Sequence, residues 1–225
     1  EGHSVICLDN LFTGSKQNIA HLMTNERFTF VERDVTLPFF AHVDWIFNLA
    51  CPASPKHYQH DPVATVRANV MGMIQMLDLA KSTNARILQA STSEVYGDPL
   101  CHPQHEEYWG NVNPVGPRGV YDEAKRYMES ITMAYHTFHH VETRIIRIFN
   151  TYGPRMRLND GRVLPAFIGQ VMAPRLLNFA EGLARRLCNS WYVSQTNNYR
   201  LAAIGSSSGS EAYTVDGTNK KIKFY

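Results

Sequence analysis

The sequence predicts an α/β protein with a doubly wound parallel sheet. Short β-branched, apolar segments alternate along the chain with longer segments whose apolar residues recur at helical spacing, and this alternation indicates βαβ units. The chain has 225 residues, of which 44% are hydrophobic and 19% charged. This composition is typical of a globular protein with a substantial core and excludes a disordered or collagen-like chain.

The first half of the chain supplies three predicted strands. Residues 4–9 are β-rich and end in an acidic residue, Asp9. A turn-like segment and a short helix at residues 17–25 follow, and residues 28–33 form the second strand. Residues 43–49 are nearly all apolar, as we expect of a parallel strand that is buried on both faces.

The second half continues the same alternation. Residues 62–82 carry apolar side chains at helical spacing, and a strand at 85–90 follows. After a loop rich in Pro, Gly and Asn, residues 121–139 predict a long helix and residues 142–148 another strand.

The pattern weakens from about residue 172, and residues 205–210 resemble a linker in composition. We therefore assign residues 1–171 to one α/β domain and residues 172–225 to an atypical tail with little predicted order.

Composition also excludes several classes of protein. The 22 basic and 20 acidic residues nearly balance and are scattered, so no nucleic-acid surface is predicted. The four cysteines lie far apart and are typical of reduced thiols in a cytoplasmic protein. No apolar run approaches the roughly 20 residues that span a membrane. The chain begins with Glu1, so an N-terminal anchor or targeting segment upstream stays an open alternative.

The most informative pair of residues is Tyr121 and Lys125, at the start of the helix predicted for 121–139. Four residues make about one helical turn, so both side chains share one face. A phenol has a pKa of about 10 in water, and a neighbouring cation favours its ionised form, which makes Tyr121 a candidate general base. The alternative is a coincidental spacing on an exposed turn.

Three further polar residues follow predicted strands. Thr92 stands at the carboxyl end of an apolar strand, the edge where ligands bind in open α/β sheets, and Glu94 lies two residues on. Asp9 closes the first strand, as does the carboxylate that holds the adenosine ribose of NAD in such folds. A turn or a helix cap is the alternative role for Asp9.

Three segments of the chain have a specific sequence: NLACPASP at 48–55, STSEVYGDP at 91–99 and YWGNVNP at 108–114. Together with residues 8–14, 121–126 and 147–156, they resemble the UDP-glucuronate decarboxylases (UDP-xylose synthases), which are extended short-chain dehydrogenase/reductases. The resemblance implies that residues 1–171 form a partial NAD-binding domain with part of the sugar-nucleotide site.

This resemblance implies an NAD-dependent conversion of UDP-glucuronate to UDP-xylose through a 4-keto sugar. Tyr121 would be the base, Lys125 would tune it, Thr92 would bind the reacting hydroxyl, and Glu94 would assist. The implied NAD-binding residues are Asp9, Asn10, Phe12, Thr13, Gly14, Asp34, Val35, Leu49, Ala50, Thr92, Tyr121, Lys125 and Thr151. The implied substrate-binding residues are Glu94, Tyr121, Asn150, Arg155 and Arg162.

Sister activities stay open as alternatives. The related 4,6-dehydratases carry an Asp after the Thr of this motif, where it acts as the acid that expels water. Here that position is Ser93, so decarboxylation is favoured over dehydration. A nucleotide-sugar 4-epimerase is the other alternative within the family.

The resemblance also implies a first βα unit with a Gly-rich turn that holds the NAD pyrophosphate, and these 225 residues contain no such turn near their start. We therefore expect the 225-residue chain alone to hold NAD poorly. The corresponding alternative function is an inactive, truncated chain that binds only a nucleotide sugar or a partner subunit.

A homodimer is implied by resemblance, because members of the family pair through long helices such as residues 121–139. The apolar residues Met128, Ile131 and Tyr135 of that helix suit core packing equally well. No metal site is predicted, since His136, His139 and His140 fit a solvated helix end better than a ligand set.

Overall fold

The structure is a computed structural model, and it describes residues 2–172, 212–213 and 221–222. The described residues form two compact units. The first contains residues 2–53, 57–91 and 114–146, and the second contains residues 54–56, 92–113 and 147–172 with the two short segments near the carboxyl terminus.

The strands are β1 (Val5–Asp9), β2 (Phe28–Glu32), β3 (Trp45–Asn48), β4 (Arg86–Thr92), β5 (Thr143–Ile148), β6 (Ala212–Tyr213) and β7 (Lys221–Ile222). The α-helices are α1 (Pro55–Tyr58), α2 (Pro62–Thr83), α3 (Gly119–His139) and α4 (Val163–Met172). Strands β1 to β5 and helices α2 and α3 follow the predicted order, whereas α1, α4, β6 and β7 are not among the predicted elements. The short helix predicted for residues 17–25 is a 3-10 helix at Lys16–Leu22, and a second 3-10 helix spans Ser93–Tyr96.

β1 pairs with β2 and β3 with β4 in parallel, as predicted, but strands β1 to β5 form two separate sheets instead of one. β1 pairs with β2, with Val5 opposite Phe28 and Asp9 opposite Glu32. β3 pairs with β4, and the order in the second sheet is β3-β4-β5. Among the described strands, the other edges of β1 and β3 have no paired strand.

Helix α2 begins and ends at clear capping residues. Asp61 caps its N-terminus by accepting a 2.9 Å hydrogen bond from the Ala64 N–H. Asn84 ends it in the left-handed conformation, with φ 56°. α2 packs against α3 and β3, and its buried residues, such as Met73 and Leu77, form the core of the first unit.

The prediction that the third strand is buried on both faces is wrong. Ile46 and Asn48 are buried, whereas Trp45 and Phe47 are 55% and 62% exposed and stack on each other. The reason is that α2 packs against β3 on the face of Ile46 and Asn48. Nothing among the described residues covers the face of Trp45 and Phe47.

Within the described residues, no helix combines the length and the apolarity that crossing a membrane requires. Most of the predicted tail at 172–225 lies outside the described residues; the part that is described is the short antiparallel pair β6 and β7.

Candidate active site

The first two turns of α3 place Tyr121 and Lys125 on its buried face. The buried positions of this helix include Tyr121, Lys125, Met128 and Thr132, which recur at intervals of three and four residues. Tyr121 is 4% exposed and Lys125 is 5% exposed. The spacing therefore puts a phenol and an ammonium group together inside the first unit.

The ammonium group of Lys125 is held in a fixed position. Its Nζ donates a 3.0 Å hydrogen bond to the carbonyl of Ala90 in β4. The same Nζ lies 5.8 Å from the centroid of the Tyr121 ring. The lysine cation therefore lies over the ring of the phenol with which it shares a helix face.

Burial is the largest influence on the charge of Lys125 and lowers its pKa, because the charged form loses its hydration. Negative charge at Cys51 or Glu129 opposes this effect. Burial also raises the pKa of the Cys51 thiol. The thiol is therefore neutral near pH 7, and Glu129 is the group that supports the lysine charge.

Asn69 and Cys51 are two neighbours of this pair to which the sequence analysis assigns no role. Asn69, 1% exposed in α2, donates to Cys51 Sγ at 2.9 Å and to the Thr65 carbonyl at 2.9 Å. Its Oδ1 is buried and has no hydrogen-bond partner in the described residues. The sequence signal for Asn69 is a polar amide side chain on a face of α2 where most positions carry apolar residues.

The loop after β1 forms a polar turn around Asp9. The Leu11 N–H donates a 2.6 Å hydrogen bond to Asp9 Oδ1, with Leu11 at φ 58°. A Cβ on Gly14 would lie 3.1 Å from the same carboxylate oxygen. A side chain at position 14 would therefore press on the Asp9 carboxylate, and glycine leaves the carboxylate in its present position.

Asp34, just after β2, connects with this turn. Asn10 Nδ2 donates to Asp34 Oδ2 at 2.9 Å, and the hydroxyl and the N–H of Thr36 donate to Oδ1 at 2.7 and 2.9 Å. These hydrogen bonds, led by that from the Thr36 hydroxyl, lower the pKa of Asp34. The structure thus brings three of the predicted NAD-binding residues (Asp9, Asn10 and Asp34) into one polar cluster.

The other predicted NAD-binding residues of the first unit differ in exposure. Phe12 and Leu49 are 47% and 52% exposed, and Thr13 and Ala50 are also exposed. Val35 packs its side chain in the core, where a Cβ on Gly72 would lie 2.6 Å from it. A role for Val35 at the adenine would therefore depend on its backbone.

Thr92 and Glu94 belong to the second unit, at the carboxyl end of β4. Thr92 is 8% exposed and caps the 3-10 helix at Ser93–Tyr96, where its hydroxyl accepts a 3.3 Å hydrogen bond from the Glu94 N–H. Glu94 is half-buried. The turn thus fixes the backbone between the two predicted catalytic residues.

The remaining predicted residues lie in the segment after β5 in the second unit. Asn150 and Arg155 are exposed, and Thr151 is half-buried. Arg162 pairs with the carboxylate of Asp160 through both Nε and Nη2. Asp160 is in turn tied to Ser54, whose hydroxyl donates to its carbonyl. Arg162 is therefore already neutralised in part by a carboxylate.

Comparison with known proteins places this geometry in a family. The profile of the NAD dependent epimerase/dehydratase family matches residues 1–187. UDP-glucuronic acid decarboxylase 1 of Arabidopsis thaliana is 57% identical over 171 residues, which is 76% of this chain and 39% of the plant protein. UDP-glucuronic acid decarboxylase 1 of Xenopus tropicalis is 48% identical over 207 residues, or 92% of this chain and 49% of the frog protein.

Solved structures of nucleotide-sugar epimerases and dehydratases are also similar to this chain, at lower sequence identity. A UDP-N-acetylglucosamine 4-epimerase from Methanobrevibacter ruminantium, in complex with UDP-N-acetylmuramic acid, has a TM-score of 0.66 at 25% identity. The match covers 75% of this chain and 55% of the epimerase chain. The dTDP-glucose 4,6-dehydratase DesIV from Streptomyces venezuelae, with NAD bound, has a TM-score of 0.66 at 25% identity, covering 76% and 53%. The chain spans about half the length of these relatives or less, and it belongs to the NAD dependent epimerase/dehydratase family.

Proposed function

We propose that the protein converts UDP-glucuronate to UDP-xylose and carbon dioxide, with NAD as a bound cofactor. The observation that carries this proposal is the buried pair of Tyr121 and Lys125, with the lysine Nζ 5.8 Å from the phenol ring and fixed to a strand carbonyl. The identity of 46–57% to UDP-glucuronic acid decarboxylases favours this substrate over others that the family uses.

Tyr121 serves as the base in this proposal. The Lys125 cation favours the phenolate, which accepts the proton of the C4 hydroxyl when C4 is oxidised and returns it when C4 is reduced again. The 3.0 Å hydrogen bond to Ala90 keeps the cation in place through both steps. No net proton is taken from Tyr121 over the cycle.

The polar cluster around Asp9 fits the adenosine end of NAD. Asp9 is exposed at the end of a parallel strand, and the small residue Gly14 lies close beside its carboxylate. Asp9 would accept hydrogen bonds from the ribose hydroxyls, and Asn10 and Asp34 would line the adenine side. When bound, NAD supplies the transient oxidation at C4, and the resulting 4-ketone allows the C6 carboxylate to leave as carbon dioxide.

Residues of the second unit complete the proposed assignment. Thr92 binds the reacting hydroxyl and Glu94 assists proton transfer or orientation. Asn150, Arg155 and Arg162 contact the nucleotide sugar, because guanidinium groups suit diphosphate and carboxylate groups. Arg162 pairs with Asp160 through Nε and Nη2, so its Nη1 donors are the ones that would reach the nucleotide sugar.

Ser93 favours decarboxylation over dehydration. Elimination of water from a 4-keto sugar needs an acid beside the leaving hydroxyl, and the serine hydroxyl at this position is too weakly acidic for that role. Loss of carbon dioxide from a β-keto acid needs no acid at a leaving hydroxyl: the electrons of the C5–C6 bond pass into the 4-ketone as an enolate, and C5 then takes a proton from solvent. The same 4-keto sugar is therefore expected to lose its carboxylate.

Product analysis tests this function directly. The intact natural protein is incubated with UDP-glucuronate, and carbon dioxide and nucleotide sugars are quantified together. We expect one carbon dioxide for each UDP-xylose formed. A 4-epimer with the carboxylate retained, or no reaction, would contradict the proposal.

We also propose that two copies of the chain associate through α2 and α3. A shallow groove of about 460 Å³ lies between these helices, lined by Val66, Val70 and Tyr127 among others. Met71 and Tyr127, on the same helices, are 47% and 43% exposed. An apolar groove between two long helices suits the equivalent helices of a second copy.

Light scattering during size-exclusion chromatography tests this association. We expect a dimer for the parent protein and a folded monomer for Tyr127→Asp. A parent that is monomeric at micromolar concentration, or a dimer that Tyr127→Asp leaves intact, would contradict the proposed interface.

We propose a reducing, cytoplasmic setting for the protein. Cys7, Cys51 and Cys101 are free thiols among the described residues, which agrees with a compartment where thiols stay reduced. Detection of the protein in subcellular fractions tests this: recovery with a cytosolic marker supports it, and recovery with a luminal marker contradicts it.

A further inference from the structure

Tyr58 packs face to face with Tyr121. Their ring centroids lie 4.6 Å apart, with 10° between the ring planes. Tyr58 is the last residue of α1, it is 1% exposed, and both tyrosines belong to the first unit. One face of the Tyr121 ring is therefore covered by a second aromatic ring, which limits how far the phenol can rotate or tilt.

The backbone of Tyr58 is fixed by the first turn of α2. The Thr65 hydroxyl donates a 3.1 Å hydrogen bond to the Tyr58 carbonyl and a 3.0 Å bond to the Asp61 carbonyl. Thr65 is itself 1% exposed. Because Asp61 also caps α2, the segment that carries Tyr58 is attached to the end of a 22-residue helix.

The hydroxyl of Tyr58 is buried and forms no hydrogen bond of normal geometry with the described residues. Burial raises the pKa of Tyr58, and the Arg118 guanidinium close to the hydroxyl offsets only part of this effect. Tyr58 thus stays neutral, and the feature that it presents to Tyr121 is the surface of its ring.

We propose that Tyr58 is a positioning residue that fixes the ring plane of the catalytic base Tyr121. Productive proton transfer requires the base to be held to about 0.5 Å and 10–20°. Lys125 alone does not define the ring plane, because its Nζ is hydrogen-bonded to Ala90 and lies 5.8 Å from the ring centroid. The stacked ring of Tyr58, 10° from parallel, constrains that plane directly. The kinetic part of this inference rests on the proposed function.

Kinetics of the intact protein separate the ring from the hydroxyl. In Tyr58→Leu the stack is lost, and we expect kcat for carbon dioxide release to fall by about ten- to a hundredfold while KM changes by less than about twofold. Tyr58→Phe keeps the ring, and we expect kcat to stay within about twofold of the parent. An equal fall in kcat in Tyr58→Phe and Tyr58→Leu would overturn the proposal, and so would a folded Tyr58→Leu variant with the parental kcat.

Tyr135→Leu is the matched control for loss of a tyrosine ring. Tyr135 lies on the same helix, and its hydroxyl donates a 2.7 Å hydrogen bond to Asp78. We expect this variant to lower the melting temperature and leave kcat unchanged. A loss of kcat equal to that of Tyr58→Leu would show a general effect of destabilisation and would also overturn the proposal.

A measurement without catalysis keeps the inference separate from the proposed reaction. In the 225-residue chain with ring-labelled tyrosine, NMR reports how fast the Tyr121 ring flips, and Tyr121→Phe identifies its signals. We expect flipping to be at least about tenfold faster in Tyr58→Leu and unchanged in Tyr58→Phe and Tyr135→Leu. If the protein releases no carbon dioxide but the flip rate responds in this way, only the proposed function fails. If Tyr58→Leu leaves the flip rate unchanged, the positioning role fails.

Discussion

The hydroxyl of Ser91 donates a 2.5 Å hydrogen bond to Glu129 Oε1. Ser91 lies in β4 directly after Ala90, which accepts the hydrogen bond of Lys125, and Glu129 lies one helical turn beyond Lys125 on α3. Two consecutive residues of one strand therefore hold the lysine and the carboxylate that supports its charge.

Replacing Glu129 with Gln should shift the alkaline limb of the pH–activity profile to lower pH. Burial lowers the pKa of Lys125 and Glu129 raises it, so removing the carboxylate lowers it further. The ammonium group that stabilises the Tyr121 phenolate is then lost at lower pH. The measurement is the pH dependence of kcat/KM, whose alkaline limb should move toward neutrality.

Cys51→Ser is the control for this experiment. A thiolate at Cys51 would also raise the pKa of Lys125, but burial raises the pKa of the thiol and keeps it neutral. We therefore expect Cys51→Ser to leave the alkaline limb in place. A shift as large as that of Glu129→Gln would identify Cys51 as the counter-charge instead.

Asp9→Asn should weaken NAD binding to the intact protein by about tenfold or more, because a hydrogen bond to a charged group contributes about 1.5–3 kcal/mol. The amide oxygen can still accept from the Leu11 N–H, so the turn is expected to persist. Titration calorimetry measures the change. Glu32→Gln, at the paired position of β2, is the control, and equal losses in both variants would contradict a specific role for Asp9.

The hydrogen bonds of Asp34 should make stability depend on pH in the acidic range. Its pKa is lowered in the folded state, chiefly by the Thr36 hydroxyl. The stabilisation that Asp34 gives the folded state is therefore present above the unfolded pKa of about 3.9, and it is lost as the pH falls through the folded pKa. The difference in melting temperature between the parent and Asp34→Asn should shrink as the pH is lowered from 7 to about 3. The difference between the parent and Thr36→Val should shrink in the same way. A constant difference would contradict this role.

Gly97→Ala should strongly destabilise the second unit. Gly97 has φ 62°, and a Cβ there would lie 2.1 Å from the Asn111 carbonyl oxygen. That oxygen accepts a 2.9 Å hydrogen bond from Asp98. We expect a loss of at least about 1–3 kcal/mol in urea unfolding. Gly169→Ala, whose Cβ would have 4.0 Å of space inside α4, is the control, and equal effects of the two variants would contradict the steric argument.

Local periodicity was sufficient to predict strands β1 to β5, helices α2 and α3, and the pair of Tyr121 and Lys125. Tyr121 and Lys125 share a buried face because one helical turn separates them, and that depends only on a helix forming at 119–139. The strand ends at Asp9 and Thr92 are likewise read from runs of apolar residues.

Contacts between distant segments could not be predicted in this way. The stack of Tyr58 on Tyr121 joins a four-residue helix to α3, and no spacing in the sequence encodes it. The exposed face of Trp45 and Phe47 depends on which elements cover the sheet rather than on the apolar run itself. The pairing of Arg162 with Asp160 likewise depends on side-chain orientation.

The most direct test of the central claim is carbon dioxide release from UDP-glucuronate by Tyr121→Phe. The substitution removes only the phenol oxygen and keeps the ring that stacks on Tyr58. The account predicts at least about a hundredfold fall in kcat with NAD still bound, whereas Tyr135→Phe should retain parental turnover. A Tyr121→Phe protein that releases carbon dioxide at the parental rate would contradict it.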